Sequence, residues 1–400
     1  MSQRYQGGIL GVGFNPLQAP NAPTVGTATA GGNNCASVTF TAPANVGGSA
    51  ITGFTARSNP DGFSGAAAGS PITVSGLSNG TSYTFGVFAL NSYGPSPISA
   101  FSNSITAVLD GTVAIFALGY ANSNLTTLRN KYTYAGDVVS AGGAATTASR
   151  SGSAAGNSTV GIFALGLICG QRVTTRDKYT YSGCVVSAGG AATAISSDGS
   201  AAGNSTVGIF ALGNSPSSVS TTRNKYTYSG DVVSSGTAAT VASGSGIATG
   251  NSTVGIFALG IAPSSGSTTR DKYTYSGCVV SAGGAATAGS FGGSAAGNST
   301  VGIFALGFVS SALSTTRDKY TYSGCVVSSG TAATVASGDG AAAGNSTVGI
   351  FALGEVTGCQ VSTTRNKYTY SSCVVSAGGA STVASFGGSA ASNGIAGITL

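Results

Sequence analysis

The sequence predicts an all-β protein, and three observations carry that prediction. Among the 400 residues, 65 are Gly, only 6% are charged, and His and Trp are absent. Small and β-branched residues dominate, whereas the helix formers Glu and Lys are scarce. Short apolar segments are separated by Gly, Asn or Pro, which is typical of strands joined by tight turns. A segment of 47 residues also recurs six times, and such a period is typical of solenoids and propellers.

The repeat contains two segments that hardly change along residues 112–394. The first is Gly-Asn-Ser-Thr-Val-Gly-Ile-Phe-Ala-Leu-Gly, and the second is Lys-Tyr-Thr-Tyr. Successive copies are 47 residues apart, except that the last Lys step is 48 residues. The phenylalanines of the first segment are Phe116, Phe163, Phe210, Phe257, Phe304 and Phe351.

Each repeat is predicted to form four short strands. In the third strand of the second repeat, alternation puts Asp177, Tyr179 and Tyr181 on one face and Arg176 on the other. Four strands in about 40–50 residues is the size of one propeller blade. In this repeat the predicted strands are 153–155, 160–165, 176–181 and 184–187.

The order of these landmarks resembles the kelch family of β-propellers over residues 112–394. A small-residue strand, an Asn turn, an apolar strand ending in Gly, a Tyr strand and a Val strand follow one another. The chain departs from the family in having one Gly, such as Gly166, in place of a pair, and in lacking Trp. The resemblance implies a six-bladed propeller over 112–400. Residues 389–400 would complete the blade that begins at Val113, and an open solenoid of the same repeats is the alternative.

Residues 21–108 have a different pattern, with alternating strands between Gly, Pro and Asn turns. The stretch from Leu77 to Tyr83, with Gly-Thr before the final Ser-Tyr, resembles the tyrosine corner of fibronectin type III domains. In that family a buried Tyr hydroxyl bonds the upstream backbone, and Phe40 stands where the family usually has Trp. The resemblance implies a fibronectin type III β-sandwich over 21–108.

Two further segments flank these modules. Residues 1–20 contain an apolar patch at 9–14, so they either form an assembly arm that adds a strand to a neighbour or remain a plain tail. Residues 109–111 are predicted to be a linker. The N-terminus lacks a secretory signal, and no apolar run is long enough for a transmembrane helix, so we expect assembly in the cytoplasm.

The composition disfavours catalysis, cofactors and metal sites. Without His, the chain cannot form a Ser-His-Asp arrangement. Asp198 and Asp339 lie in separate repeats and do not suggest the paired carboxylates of a glycosidase. The seven Cys contain no Cys-X-X-Cys motif and are expected to be free thiols. The net charge of +6 is spread out, unlike a nucleic-acid footprint.

One arginine per repeat stands two residues before the repeated Lys, and the six arginines together with these six lysines are expected to form a cationic ring. This ring could contact acidic glycans or other anions, or it could be a solvated rim that Asp177, Asp271 and Asp318 partly neutralise. The six residues are Arg129, Arg176, Arg223, Arg270, Arg317 and Arg365.

Two sets of loops differ among otherwise similar repeats. They suggest either a fixed scaffold that displays varied surfaces or relaxed constraint on exposed loops. One set is 120–128, 167–175, 214–222, 261–269, 308–316 and 355–364, and the other is 147–152, 195–199, 243–247, 289–293, 336–340 and 383–388.

This combination of modules resembles bacteriophage virion proteins. The resemblance implies a non-enzymatic tail-fibre or appendage protein that is assembled in the host cytoplasm and located in the virion. Residues 1–108 would attach to other virion proteins, and the propeller would face outward and bind host-surface polysaccharide, with many copies adding strength. Neither nucleic-acid binding nor membrane insertion is expected. The alternatives are a capsid or tail decoration protein and a bacterial adhesin at the cell surface.

Overall fold

The computed structural model consists of β-strands and short turns, which confirms the all-β prediction. It describes residues 18–32, 35–78, 81–107, 112–181, 184–262, 264–358 and 360–393. These residues divide into two compact units, unit 1 up to residue 107 and unit 2 from residue 112. Most of the predicted arm, the linker at 109–111 and the end of the C-terminal part-repeat lie outside the described residues.

Unit 1 contains two antiparallel sheets that share one hydrophobic core. In its strands every second side chain is buried, as expected for strands with one face toward a core. Phe40 of the first sheet and Phe54 of the second pack together with ring centroids 4.6 Å apart. The first sheet has the order Thr24–Gly32, Cys35–Thr41 and Ile72–Val74, and the second has Ser64–Ala67, Gly53–Asn59, Ser82–Asn91 and Gly94–Pro95, with Ile105–Thr106 also paired to Ser82–Asn91.

The buried Tyr83 makes the main polar contact in this core. Its hydroxyl oxygen accepts a hydrogen bond from Ser78 N at 3.1 Å and donates one to Asp61 Oδ2 at 2.8 Å. The upstream backbone contact that the resemblance implies for this tyrosine is therefore present.

Unit 2 contains six four-stranded antiparallel sheets, numbered 1 to 6 in chain order. The four strands in each sheet confirm the prediction of four strands per repeat. From first to fourth strand, the bounds are Ser389–Ser392, Val113–Ala117, Arg129–Thr133 and Val138–Ala141 in sheet 1; Ser153–Gly156, Val160–Ala164, Arg176–Thr180 and Val185–Ala188 in sheet 2; Ser200–Gly203, Val207–Ala211, Arg223–Thr227 and Val232–Gly236 in sheet 3; Ile247–Gly250, Val254–Ala258, Arg270–Thr274 and Val279–Ala282 in sheet 4; Ser294–Gly297, Val301–Ala305, Arg317–Thr321 and Val326–Ser329 in sheet 5; and Ala341–Gly344, Val348–Ala352, Arg365–Thr369 and Val374–Ala377 in sheet 6.

Sheet 1 is assembled from both ends of unit 2. Its first strand, Ser389–Ser392, pairs with Val113–Ala117, as the sequence predicts for the C-terminal part-repeat. The side chain of Asn393 also makes a hydrogen bond that the turn asparagine makes in other sheets. Val113 N donates to Asn393 Oδ1 at 2.9 Å, just as Val160 N donates to Asn157 Oδ1 at 2.9 Å.

Shorter elements occupy the turns and loops of unit 2. Single 3₁₀ turns precede several of the fourth strands, at Ala135–Asp137, Ser229–Asp231, Ser276–Cys278 and Ser323–Cys325. The loop strands are Tyr120–Ala121, Asn124–Leu125, Leu167–Ile168, Gln171–Arg172, Ser290–Phe291, Phe308–Val309, Ala312–Leu313, Ser337–Gly338, Glu355–Val356, Gln360–Val361 and Ser385–Phe386.

Six apolar clusters join neighbouring sheets of unit 2. In each cluster, one Phe and two Tyr of one sheet pack against Val and Ile of the preceding sheet. Between sheets 2 and 3, Phe210, Tyr226 and Tyr228 pack against Val160 and Ile162. The same arrangement joins sheets 1 and 2, 3 and 4, 4 and 5, and 5 and 6, and it also joins sheet 6 to sheet 1. Both faces of each sheet are therefore covered.

The contact at Asn393 can be tested against its counterpart inside a continuous turn. We expect Asn393→Ala to lower the free energy of unfolding by about 1 kcal/mol, the usual contribution of a hydrogen bond or two. Asn204→Ala removes the equivalent bond to Val207 together with bonds to Thr206 and Ser252, and should cost at least as much. Urea unfolding followed by circular dichroism measures both. A neutral Asn393→Ala beside a destabilising Asn204→Ala would mean that the C-terminal strand is not docked.

Candidate functional site

Unit 2 has one end that hardly varies among repeats and one that does. In each antiparallel sheet, the turns between strands 1 and 2 and between strands 3 and 4 lie at one end, here called the turn face. The connection between strands 2 and 3 and the segment leading into strand 1 lie at the other end, here called the loop face. Both variable loop sets therefore lie on the loop face, and the repeated Asn turns lie on the turn face.

The two loop sets make direct contact on the loop face. Ser290–Phe291 pairs with Phe308–Val309, and Ser337–Gly338 pairs with Glu355–Val356. Tyr120–Ala121 pairs in the same way with Ser385–Phe386, from the opposite end of the repeat array. The pairing brings two aromatic pairs together, and their ring centroids lie 5.1 Å apart for Phe291–Phe308 and 5.2 Å apart for Tyr120–Phe386.

A ring of six backbone hydrogen bonds fixes the positions of these loops. One residue from each repeat donates its N–H to the carbonyl oxygen of the equivalent residue in a neighbouring repeat, at 2.6 to 3.1 Å. The sixth bond, from Ser151 N to Gly387 O at 2.7 Å, completes the cycle. All six residues have φ between 49° and 61°, the left-handed region. They are Ser151, Asp198, Ser245, Gly292, Asp339 and Gly387.

This hydrogen-bonded ring borders a cavity of about 360 Å³ that opens on the loop face. The first strands of the six sheets line it mostly with Ala and Ser, together with Ile247 of sheet 4, and the residues just before these strands add Gly. A second, narrower cavity of about 90 Å³ lies between the same strands near the turn face. Of these two cavities, the wider one is bordered by charged residues, namely Arg150, Asp198 and Asp339, and the narrower one is not. The wider cavity can therefore accept a polar ligand.

Asp339 is the most electrostatically perturbed group at this cavity. Burial, together with the nearby carboxylates of Glu355 and Asp198, raises the pKa of Asp339 to about 6, and Arg150 opposes the rise. Asp198 is instead held by hydrogen bonds from Ser197 Oγ at 2.8 Å and Asn214 Nδ2 at 3.0 Å. The two aspartates come from loops three sheets apart and border the same cavity.

The prediction that the six arginines belong to an exposed cationic ring is wrong. All six arginines are buried, with 1–2% of their surface exposed, because the next sheet covers the face on which they lie. Each guanidinium stacks on the repeat phenylalanine of that sheet, 4.5 to 4.7 Å from the ring centroid, in a cation–π contact. The guanidinium groups of Arg129, Arg176, Arg223, Arg270, Arg317 and Arg365 thus join sheets and are not available to a glycan.

Each buried arginine donates to an Asp or Asn of the next sheet. Arg129 meets Asp177 at 2.8 Å, whereas Arg176 meets Asn224 at 3.1 Å. Asp177, Asp271 and Asp318 do pair with arginines, but each pairs with the arginine of the preceding sheet, 48 residues earlier, and not with the adjacent arginine as predicted. The full set is Arg129–Asp177, Arg176–Asn224, Arg223–Asp271, Arg270–Asp318, Arg317–Asn366 and Arg365–Asn130. Where the partner is Asn, burial lowers the arginine pKa to about 10.

The hydrogen-bonded ring is the main feature that the sequence interpretation missed. Its signal was a dipeptide before each first strand, in which Ser, Asp or Gly is followed by Gly, as at Asp198-Gly199. Gly tolerates positive φ, and Asp adopts it more readily than most other residues do. The recurrence of such a pair once per repeat, inside otherwise variable loops, indicates a fixed backbone conformation.

Other kinds of site receive no support from the described residues. Within these ranges, no three side chains of His, Cys, Asp or Glu come together to hold a metal ion. The helices described are single turns, and none could cross a membrane. Cys169, Cys184, Cys278, Cys325 and Cys373 are free thiols, while Cys359 lies outside the described residues.

A comparison with models of protein families and with curated proteins finds no match for this chain.

The mixture of Asp and Asn partners gives a matched test of the buried arginines. We expect Asp177→Asn to lower the free energy of unfolding by about 1 to 2 kcal/mol, because a charge-assisted hydrogen bond becomes a neutral one. Asn224→Asp makes the opposite change beside Arg176 and should stabilise the protein by up to about 1 kcal/mol. Urea unfolding at one pH compares both variants. Equal effects of the same sign would contradict the assigned pairing.

Because the pKa of Asp339 is raised, we expect removal of its carboxyl group to increase stability in a pH-dependent way. Its pKa is higher in the folded chain than the ordinary value near 4, so ionisation favours unfolding, and stability falls as pH rises from about 4 to 6. Asp339→Asn should therefore raise the free energy of unfolding above pH 6 by up to about 2 kcal/mol, and hardly at all below pH 4. Ser245→Asn, at an equivalent ring position, is the control. A gain that does not depend on pH would contradict the prediction.

Proposed function

We propose that this protein is a non-enzymatic virion component whose loop face binds host-surface glycan. One observation carries the binding role: the loops that differ among repeats meet on one end, around a cavity, while the strands and the other end hardly change. Relaxed constraint on exposed loops would explain variation but not the backbone pairing that orders the two loop sets against each other. A rigid frame under varied loops is typical of binding surfaces.

We further propose that unit 2 is a closed six-bladed β-propeller and unit 1 a fibronectin type III-like sandwich. The contacts of sheet 6 with sheet 1 and the pairing of Ser389–Ser392 with Val113–Ala117 support the ring. The shared core of the two sheets and the Tyr83–Ser78 hydrogen bond support the sandwich. In this arrangement the wider cavity is the mouth of the propeller's central channel.

The chemistry of the loop face favours a neutral glycan. Its loops carry two arginines and three acidic residues, so they have no cationic excess with which to select acidic sugars. The partly exposed rings at Tyr120, Phe386, Phe291 and Phe308 offer flat surfaces on which sugar rings can stack. Ser, Asn and Thr side chains beside them can exchange hydrogen bonds with hydroxyl groups. This replaces the acidic glycan that the arginines suggested.

The place of the protein in a virion rests on the likeness of its modules to those of bacteriophage appendages. Unit 1 and the arm would attach the chain to other virion proteins, and unit 2 would face outward. Many copies on one particle would turn weak single contacts into firm attachment, because the second contact is intramolecular. A decoration protein and a cellular adhesin are the competing functions.

Removal of the loop-face rings should weaken glycan binding. We expect Phe308→Ala or Tyr120→Ala to reduce affinity about tenfold, equivalent to about 1.4 kcal/mol, because each removes a stacking surface. Binding of the purified chain to an array of bacterial surface polysaccharides measures the change. Val232→Thr, an exposed position on a fourth strand, is the control and should bind as the unmodified chain does. Thermal melting verifies that the variants remain folded, and undiminished binding by both folded variants would contradict the role of the loop face.

Location is tested by immunogold labelling of particles from lysed cultures with an antibody against unit 2. Label at fibre tips or the tail would support host recognition. Label spread over the shell would favour decoration, and label on cell envelopes alone would favour an adhesin and overturn the virion location.

A further inference from the structure

One position in each sheet of unit 2 holds either Asp or Cys. It lies between the second repeat tyrosine and the fourth strand, and all six residues there adopt φ between 53° and 55°. The backbone is therefore the same whichever residue is present. The six residues are Asp137, Cys184, Asp231, Cys278, Cys325 and Cys373.

Where this residue is Asp, its two carboxylate oxygens contact a lysine and a tyrosine hydroxyl. Asp231 Oδ2 lies 2.8 Å from Lys178 Nζ of the preceding sheet, and Oδ1 accepts the hydroxyl of Tyr226 at 2.8 Å. Asp137 makes the same pair of contacts, with Lys367 and with Tyr132. One oxygen thus bonds the neighbouring sheet, and the other satisfies a buried hydroxyl of its own sheet.

Where the residue is Cys, the tyrosine hydroxyl faces a sulfur atom, and in sheets 4 and 6 the lysine of the preceding sheet does so too. Lys319 Nζ lies 3.4 Å from Cys373 Sγ, and Lys225 Nζ lies 3.9 Å from Cys278 Sγ. The corresponding tyrosine hydroxyls are buried against the cysteine sulfur, and none of them donates to an oxygen acceptor among the described residues. All four cysteine-bearing sheets have this orphaned hydroxyl, which belongs to Tyr179, Tyr273, Tyr320 and Tyr368.

We propose that these four cysteines are sites of oxidation by peroxides, and that the sulfinate formed completes the site as Asp does in sheets 1 and 3. A sulfinate carries two oxygens and one negative charge on the atom attached to Cβ, as a carboxylate does. One oxygen can bond the lysine of the preceding sheet, and the other can accept the orphaned tyrosine hydroxyl. The inference goes beyond the proposed function and does not depend on glycan binding.

The chemistry needs only the thiolate and a peroxide. The sulfur attacks one peroxide oxygen, the O–O bond breaks, and hydroxide leaves, which gives a sulfenic acid. The sulfur of the sulfenate then attacks an oxygen of a second peroxide, whose O–O bond breaks, and the products are the sulfinate and water. Sulfur is oxidised, and each peroxide is reduced. The nearby hydroxyl of Tyr368 and the ammonium group of Lys319 lower the pKa of the Cys373 thiol, which favours the reactive thiolate.

The first test treats the full chain with hydrogen peroxide and follows each cysteine by mass spectrometry. We expect a gain of two oxygens at Cys184, Cys278, Cys325 and Cys373, severalfold faster than at the exposed Cys169. Lys319→Met should slow oxidation of Cys373 and leave Cys278 unchanged, so that Cys278 is an internal control. Equal rates at Cys169 and the four sites, or an unchanged rate at Cys373 in Lys319→Met, would overturn the proposal.

The second test measures what the added oxygens do. The melting temperature should rise after oxidation, and Cys373→Asp should raise it in the reduced protein, because both supply the missing acceptor. Cys373→Ser introduces a hydroxyl without charge and should give no such rise. A melting temperature for Cys373→Asp at or below that of Cys373→Ser would overturn the proposal, and so would a fall on oxidation.

Discussion

Burial of a charged guanidinium between successive sheets is the interaction on which unit 2 depends. Removing such a group from water costs several kcal/mol unless acceptors meet it. The next sheet supplies an Asp or Asn oxygen at 2.7 to 3.1 Å and an aromatic face below the guanidinium plane. A threonine fixes that acceptor in turn, as Thr146 does by donating to Asp177. Two sheets can therefore pack only in the orientation that brings these groups together.

Because every sheet provides an arginine to one neighbour and an acceptor to the other, the contacts need a partner at both ends of the array. Sheet 6 supplies Arg365, whose acceptor is Asn130 of sheet 1, 235 residues earlier in the chain. In an open array, Arg365 would lose its acceptor and Asn130 its donor. The same reasoning applies to the apolar clusters and to the backbone ring, whose sixth bond joins Ser151 to Gly387. Polar satisfaction therefore favours closure independently of hydrophobic burial.

The sequence was enough to predict the strands but not which faces were covered. Alternation correctly grouped Asp177 with Tyr179 and Tyr181, and all three are buried. It also placed Arg176 on the opposite face, and a charged residue opposite a core face indicates solvent in a sheet with one covered side. Here both faces are covered, so Arg176 is buried as well. The available signal was compositional, because a chain with only 6% charged residues that repeats one arginine six times is unlike a solvated surface.

The sequence identified the loops of the candidate site but not their convergence, for a related reason. The loops were recognisable because they vary, yet their convergence depends on strand order, and the link between Tyr120 and Phe386 joins residues from opposite ends of the array. The strands beneath can stay nearly constant because strand residues, and not the variable loops, make the arginine, tyrosine and apolar contacts that hold the sheets together. These contacts also tolerate some exchange of residues. Asn replaces Asp at the position that accepts the arginine, and Cys replaces Asp before the fourth strand at nearly the same φ. Stability thus resides in the sheets, which leaves the loop face free to differ from repeat to repeat and to bind.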